Sequence, residues 1–232
     1  MAKKLIFVWL SITMIACSSI SIYATTQTTE TTYTEESIKT SEITSEVASR
    51  TSKKLTATID EARSQAQAEA DAKAEAERKA AEGQNLINGI ASYITYINRN
   101  VSTESASQMA AYFVNAANTY NVDVYYLVAI AKHESTFYPD VTSSANCRGL
   151  MQTSDTLANK YGYSASDAYS PEASINIGAQ YLRACLDTFG GDYMLALSGY
   201  AYGCGAVQSG NFNYGYANDF TSIKESIQSY IQ

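Results

Sequence analysis

The spacing of apolar residues changes several times along this chain, and each spacing predicts a different element. Leu5–Ala16 is apolar behind the basic Met1–Lys4, and Ser21-Ile22-Tyr23-Ala24 closes on a small residue. That is the build of a secretory signal cleaved after Ala24. An uncleaved anchor over Leu5–Ala24 and lipidation at Cys17 are the alternatives. Thr25–Ser52 is mostly Thr, Ser and Glu. It has too little apolar surface to fold, so it reads as a disordered tether. Lys53–Gly83 is rich in Ala, Glu, Lys, Gln and Arg, with no Pro or Gly before Gly83, and predicts one long solvated helix. No heptad of large residues is sustained, so a tight coiled coil is not expected. A weak helical association through residues 53–82 stays open.

Asn85–Asn100 carries Leu86, Ile87, Ile90, Ile94 and Ile97 at helical spacing, which completes a helical spacer over residues 53–100. This segment either docks on the domain behind it or pairs with the preceding helix. From Val101 the pattern is that of a helical domain, residues 101–232. Ser102 caps a helix through Met109, Phe113 and Ala117. Asp123 caps Val124–Ala131, an eight-residue apolar run whose lack of a polar face predicts burial. Pro139 ends that region. Thr142–Gln152 reads as loop or short strand, and Thr153–Tyr161 as a short helix. Pro171 starts a helix that Gly190-Gly191 stops. Asp192–Tyr202 is another helix, Gly203–Gly215 a glycine-rich loop, and Asn218–Ile231 a final amphipathic helix. The fold class is mainly α, with at most a small hairpin or loop region around Thr142–Met151.

Composition narrows the partners. The 232 residues carry a net charge of −7, and the part beyond Val101 holds eleven acidic against five basic residues, which argues against nucleic acid. Of nineteen tyrosines, fifteen lie beyond Val101. Tyrosine offers a flat apolar face with a polar tip, suited to sugars and peptides, or simply to core and surface filling. His133 is the only histidine and no Cys-x-x-Cys spacing occurs, so neither a metal nor another cofactor is expected. In an oxidising compartment one pair among Cys147, Cys185 and Cys204 would bridge and leave a free thiol. The alternative is three small buried hydrophobes.

The candidate chemistry sits at Lys132-His133-Glu134-Ser135-Thr136-Phe137. Glu134 ends the apolar helix, where burial and the negative helix terminus both disfavour its charged form. A glutamate that stays protonated near neutral pH can donate to a leaving oxygen. An exposed helix-end glutamate is the plainer alternative.

Ala131–Pro139 resembles the Glu-Ser-x-Phe-x-Pro segment of the soluble lytic transglycosylases, which are similar to goose-type lysozymes. Ser143 then falls where that family has a serine, and Gly149-Leu150-Met151-Gln152 matches its Gly-Leu-Met-Gln motif. Pro171, Asn176-Ile177-Gly178 and Tyr181-Leu182 come next, with the glycine moved to sit directly after Asn-Ile. Ala196–Gly203 resembles Ala-Leu-x-Ala-Tyr-Asn-x-Gly, with Ala201 where the family has asparagine. The resemblance covers about Ser105 to Ile231.

It implies a lysozyme-like fold and cleavage of peptidoglycan glycan strands. Glycoside cleavage commonly uses two carboxylates, yet Asp140 and Asp155, the nearest to Glu134 in sequence, stand at no motif position. The implied mechanism uses Glu134 alone. It protonates the oxygen of the β-1,4 bond between N-acetylmuramic acid and N-acetylglucosamine, then removes the muramoyl 6-hydroxyl proton, giving a 1,6-anhydro sugar. Ser143, Gln152, Tyr200 and Tyr216, with Phe220 as the alternative to Tyr216, are the implied substrate-binding residues. A goose-type hydrolase and a non-catalytic peptidoglycan-binding module are the other readings. The implied flanking of the cleft by the loops of Cys147 and Cys204 favours their pairing, with Cys185 buried. An extracytoplasmic, cell-wall-associated enzyme of this kind could serve a wall-spanning machine.

Overall fold

The computed structural model describes residues 35–232, with side chains from residue 40. The expected signal segment and residues 25–34 of the expected tether lie outside the described residues. No helix among the described residues is long and apolar enough to cross a membrane. The chain divides into two compact units, residues 1–69 and 70–232.

Helix α1 spans Glu35–Ile97. In the first unit all its described side chains are exposed. The helix therefore begins well before Lys53 and replaces the disorder expected for residues 35–52. Poor burial forbids packing there, but it does not forbid a helix. Proline and glycine are absent between residues 35 and 82. Thr44, Thr51, Thr56 and Thr58 turn their hydroxyls back onto the carbonyls four residues earlier. Arg50 pairs with Glu46 at 2.6 Å, one turn apart. Such exposed pairs add only a few tenths of a kcal/mol each, roughly.

In the second unit the end of α1 becomes amphipathic, and Ile90, Ala91, Tyr93 and Ile94 are buried. This segment docks on the helical domain instead of pairing with the preceding helix. Ser92 Oγ lies 3.1 Å from the hydroxyl of Tyr230. At Gly89 a β-carbon would come within 2.6 Å of Ile231 Cγ2, so the glycine lets α1 approach the chain's last turn.

The remaining helices are α2 (Thr103–Tyr120), α3 (Val124–Ser135), α4 (Asp155–Lys160), α5 (Pro171–Thr188), α6 (Tyr193–Tyr202), α7 (Cys204–Gln208) and α8 (Gly215–Ile231), with a 3-10 turn at Asp167–Tyr169. The expected caps are in place. Ser102 Oγ accepts from Ser105 N, and Asp123 Oδ1 accepts from Tyr125 N. Asp192 caps α6 in the same way, and Pro171 occupies the first turn of α5. Leu127–Ala131 is fully buried, which makes α3 the central helix. It packs against α8 and α2, while α5 packs against α2 and α6.

Residues 204–208, expected as loop, form the short α7, and α8 begins three residues earlier than expected. The hairpin region is minimal: two isolated antiparallel bridges join Thr142 to Arg148 and Arg148 to Thr153. Arg148 also pairs with Asp155 and donates to the Tyr169 hydroxyl at 3.2 Å. The fold is mainly α, as the spacing predicts.

Candidate active site

The buried run of α3 ends at Glu134, and the chain reverses at once. Thr136 and Phe137 both take left-handed backbone angles, φ 51° and 60°. Non-glycine residues resist that conformation, so the turn needs support. Phe137 supplies it by full burial. Asn98, just beyond α1, supplies it by donating Nδ2 to the Thr136 carbonyl at 2.9 Å. Ser135 Oγ donates back to the Ala131 carbonyl. The Glu-Ser-x-Phe sequence thus builds a rigid corner that projects Glu134 into a cleft of about 560 Å³.

The cleft brings together residues from six segments. Glu134 comes from α3, and Ser143, Cys147, Gln152, Thr153 and Ser154 from the bridged loop. Thr156, Leu157 and Lys160 come from α4, Tyr181 from α5, and Tyr200–Gly203 from the end of α6. Tyr216 closes the lining from α8. Glu134, Ser143, Gln152, Tyr200 and Tyr216, expected from sequence, all line this one cleft. Phe220, the alternative to Tyr216, is fully buried, whereas Tyr216 is 39 % exposed.

Each lining residue is held by identifiable contacts. Gly149, with φ 73°, starts the tight turn; a β-carbon there would meet the Ala168 carbonyl at 1.7 Å. Met151 is core, packed on Gly178, and its amide donates to Ser174 Oγ at 3.1 Å. Gln152 spends its amide group on the loop itself, donating to the carbonyls of Val141 and Gly149 at 3.2 and 3.0 Å. Ser143 Oγ accepts from Cys147 N at 3.1 Å. Tyr200 donates its hydroxyl to the Met151 carbonyl at 3.0 Å. Thr153 Oγ1, a lining group that motif reading missed, is buried without a hydrogen-bond partner.

Position sets Glu134 apart from the other described acidic groups. It is the one carboxyl among the described residues lining the cleft. Asp155 is tied to Arg148 outside the lining, and Asp140 is not among the lining residues. The Glu134 side chain keeps 22 % of its exposure. Burial pushes its pKa above the ordinary glutamate value, and the charge and contact of His133 pull against that rise. Burial, and then the charge of Glu134, push the Tyr200 hydroxyl well above its usual range. A carboxyl that resists ionisation, open to a cleft on one side, can give up a proton and take one back.

One expectation is corrected. Cys204 does not face Cys147; its Sγ lies 3.0 Å from Cys185 Sγ. Cys204 opens α7 directly beside α5, and the bare backbone of Gly199 leaves room for both sulfurs. Burial pushes the Cys185 thiol up.

A helical domain with one half-buried carboxyl in an open, tyrosine-lined cleft is built like a glycan-cleaving domain. Comparison with known proteins agrees: residues 111–222 match the family model of the transglycosylase SLT domain. Residues 111–222 are thus a transglycosylase SLT domain. The soluble lytic murein transglycosylase of Escherichia coli is 33 % identical over 110 residues, which cover 44 % of this chain and 17 % of that protein. The peptidoglycan transglycosylase gp16 of Escherichia phage T7 is 29 % identical over 125 residues, 52 % of this chain and 10 % of that protein. Among solved structures, the 70 kDa soluble lytic transglycosylase of Escherichia coli aligns at 27 % identity with a TM-score of 0.41, over 52 % of this chain and 22 % of that one. The chain therefore spans less than a fifth of the length of these curated relatives.

Proposed function

We propose that the domain is a peptidoglycan lytic transglycosylase in which Glu134 alone serves as acid and then base. The observation that carries this reading is the isolation of Glu134, half-buried, with its pKa raised and no second carboxyl among the described lining residues. In the first step Glu134 donates its proton to the glycosidic oxygen, and the bond from that oxygen to the muramoyl anomeric carbon breaks. In the second, the Glu134 carboxylate takes the proton from the muramoyl 6-hydroxyl as that oxygen bonds to the anomeric carbon. Glu134 ends protonated, and a 1,6-anhydro sugar is released without consuming water. A raised pKa suits both steps, because the same group must hold and release a proton near neutral pH.

Supporting roles follow from position. Tyr200, beside Glu134, holds the loop through Met151 and presents its ring to the sugar. Tyr216 offers an exposed aromatic face for stacking. Ser143 Oγ faces the cleft as a polar partner, while Gln152 shapes the loop and presents its remaining oxygen. Export to the cell wall fits the apolar N-terminus and the wall polymer as substrate. The long helix serves as spacer, and its exposed Leu55 and Ile59 offer a weak contact for a partner helix or a wall-spanning assembly.

Ala201 favours a second reading. It lines the cleft where the family carries an asparagine, so the site lacks one amide that would orient the glycan. A binding module without turnover, or a hydrolase, would result if that loss disables the internal attack. Incubating purified peptidoglycan with the full chain and with Glu134→Gln separates these readings. Soluble fragments are expected from the wild type and none from the variant. Binding without release from either protein overturns the enzymatic reading.

A further inference from the structure

The only histidine of the chain stands next to Glu134, and the transglycosylase reaction gives it no task. Its ring is held from several sides. Tyr216 and Phe220 of α8 meet it edge-on, with ring centroids 5.2 and 5.1 Å away. Nδ1 faces Glu134 Oε1 at 3.6 Å, and Nε2 faces Asp219 Oδ2 at 3.9 Å. Nδ1 is buried and has no hydrogen-bond partner. At these separations the contacts are electrostatic, short of full hydrogen bonds. The imidazole is therefore held between two carboxyl groups, one lining the cleft and one exposed on α8.

We infer that His133 is a positioning residue that sets the proton affinity of Glu134 by holding a titratable positive charge beside it, backed by Asp219. The inference rests on Glu134 being the acid–base group. Its logic is a balance of two effects. Burial alone would make Glu134 a reluctant donor, because the carboxylate left after the first step would be costly in a poorly solvated site. An imidazolium at 3.6 Å favours that carboxylate and eases release of the proton in the first step. Asp219 in turn favours the imidazolium, although it is largely exposed and its pull is screened. Other titratable groups near the pair are Lys132 on α3, Tyr216 on α8 and Tyr200 on α6, which faces Glu134, and Lys160 of α4, Cys147, Tyr181 and Tyr202 share the cleft lining. Tyr200, its hydroxyl pushed well above the usual range, carries no charge near neutral pH, and Lys132 is the preceding residue on the same helix. Histidine is the residue type whose charge ordinarily changes between about pH 5 and 8. Because protons on a coupled pair belong to the pair, both sites must be followed.

The experiment has two arms. In the first, the single histidine ring is titrated by NMR in the full-length wild type, in Glu134→Gln and in Asp219→Asn. The titration midpoint is expected to move down in both variants, since each removes a negative charge. In the second, the pH profile of fragment release is compared among wild type, His133→Asn and His133→Lys, with thermal melts confirming that each is folded. Asn removes the cation, so the alkaline limb is expected to move up. Lys makes the cation permanent, so that limb is expected to move down. A purely structural role would lower the rate at every pH and leave the limbs in place. An unchanged histidine midpoint in Glu134→Gln, with an active wild type, overturns the inference and leaves the proposed reaction standing. A wild type that releases nothing overturns the reaction itself, while the NMR arm still decides whether the two groups are coupled.

Discussion

The packing of Gly178 on Met151 can be tested by a change of sign. Gly178 lies in the middle of α5, and a β-carbon there would meet Met151 Cβ and Cγ at 2.9 Å and Cε at 2.7 Å. The methionine tip can swing aside, but its Cβ is fixed to the backbone of the Gly-Leu-Met-Gln turn. Replacing Gly178 with alanine should gain about 0.5–1 kcal/mol of helix propensity. Overpacking a fully buried site costs roughly 1–3 kcal/mol. The net expectation is a loss of about 1–2 kcal/mol. Met151→Ala alone empties a buried methionine site, at roughly 2–5 kcal/mol. In the double variant the new methyl enters the vacated space, so the clash disappears and the propensity gain remains. Gly178→Ala should therefore destabilise the wild type and stabilise Met151→Ala. Urea unfolding of the four proteins, followed by circular dichroism and analysed as a double-mutant cycle, measures this coupling. The same sign in both backgrounds, or additive effects, would refute the packing argument. Because Tyr200 hydrogen-bonds the Met151 carbonyl, Gly178→Ala should also slow any fragment release by more than its stability loss explains.

Three other expectations are as direct. Burial raises the pKa of Glu134, so the folded chain binds that proton more tightly than the unfolded one. The residue therefore subtracts stability above the ordinary glutamate pKa, by about 1.4 kcal/mol for each unit of rise. Glu134→Gln should melt higher than wild type at neutral pH, with the gap closing as the pH falls below that ordinary value; equal melting at neutral pH would contradict the burial argument. Asn98→Ala strips the Thr136 carbonyl of its donor and Asn100 N of its acceptor. It should cost about 1–3 kcal/mol in a urea titration, and a neutral result would mean that the left-handed corner supports itself. Exposure to a small disulfide oxidant should link Cys185 to Cys204 and leave Cys147 open to alkylation. Peptide mass mapping without reduction reads the linkage, and any bridge to Cys147 would contradict the observed geometry.

Much of this site is visible before folding because its chemistry is local. Glu134, Gly149 and Gln152 lie within one stretch in which the turn residues, the apolar run and the caps all agree. The helical pattern beyond Val101 is equally direct, since Asp123, Ser102 and Pro171 act on neighbours a few residues away. What stays hidden depends on contacts distant in sequence. The task of His133 needs Asp219 and Tyr216, which the packing of α8 on α3 brings to its ring. The nearness of Cys185 and Cys204 comes from the close approach at Gly199, which no spacing reveals. The onset of α1 at Glu35 is missed for a different reason. Apolar periodicity reports burial, and a solvated helix held by its own backbone leaves no such mark.

Digestion of peptidoglycan in 18O-labelled water tests the central claim most directly. If Glu134 gives its proton to the glycosidic oxygen and then takes one from the muramoyl 6-hydroxyl, the products will be 1,6-anhydro fragments without 18O. Fragments with a reducing muramic acid that carries one 18O would show that water is the nucleophile, and would contradict the single-carboxyl transglycosylase.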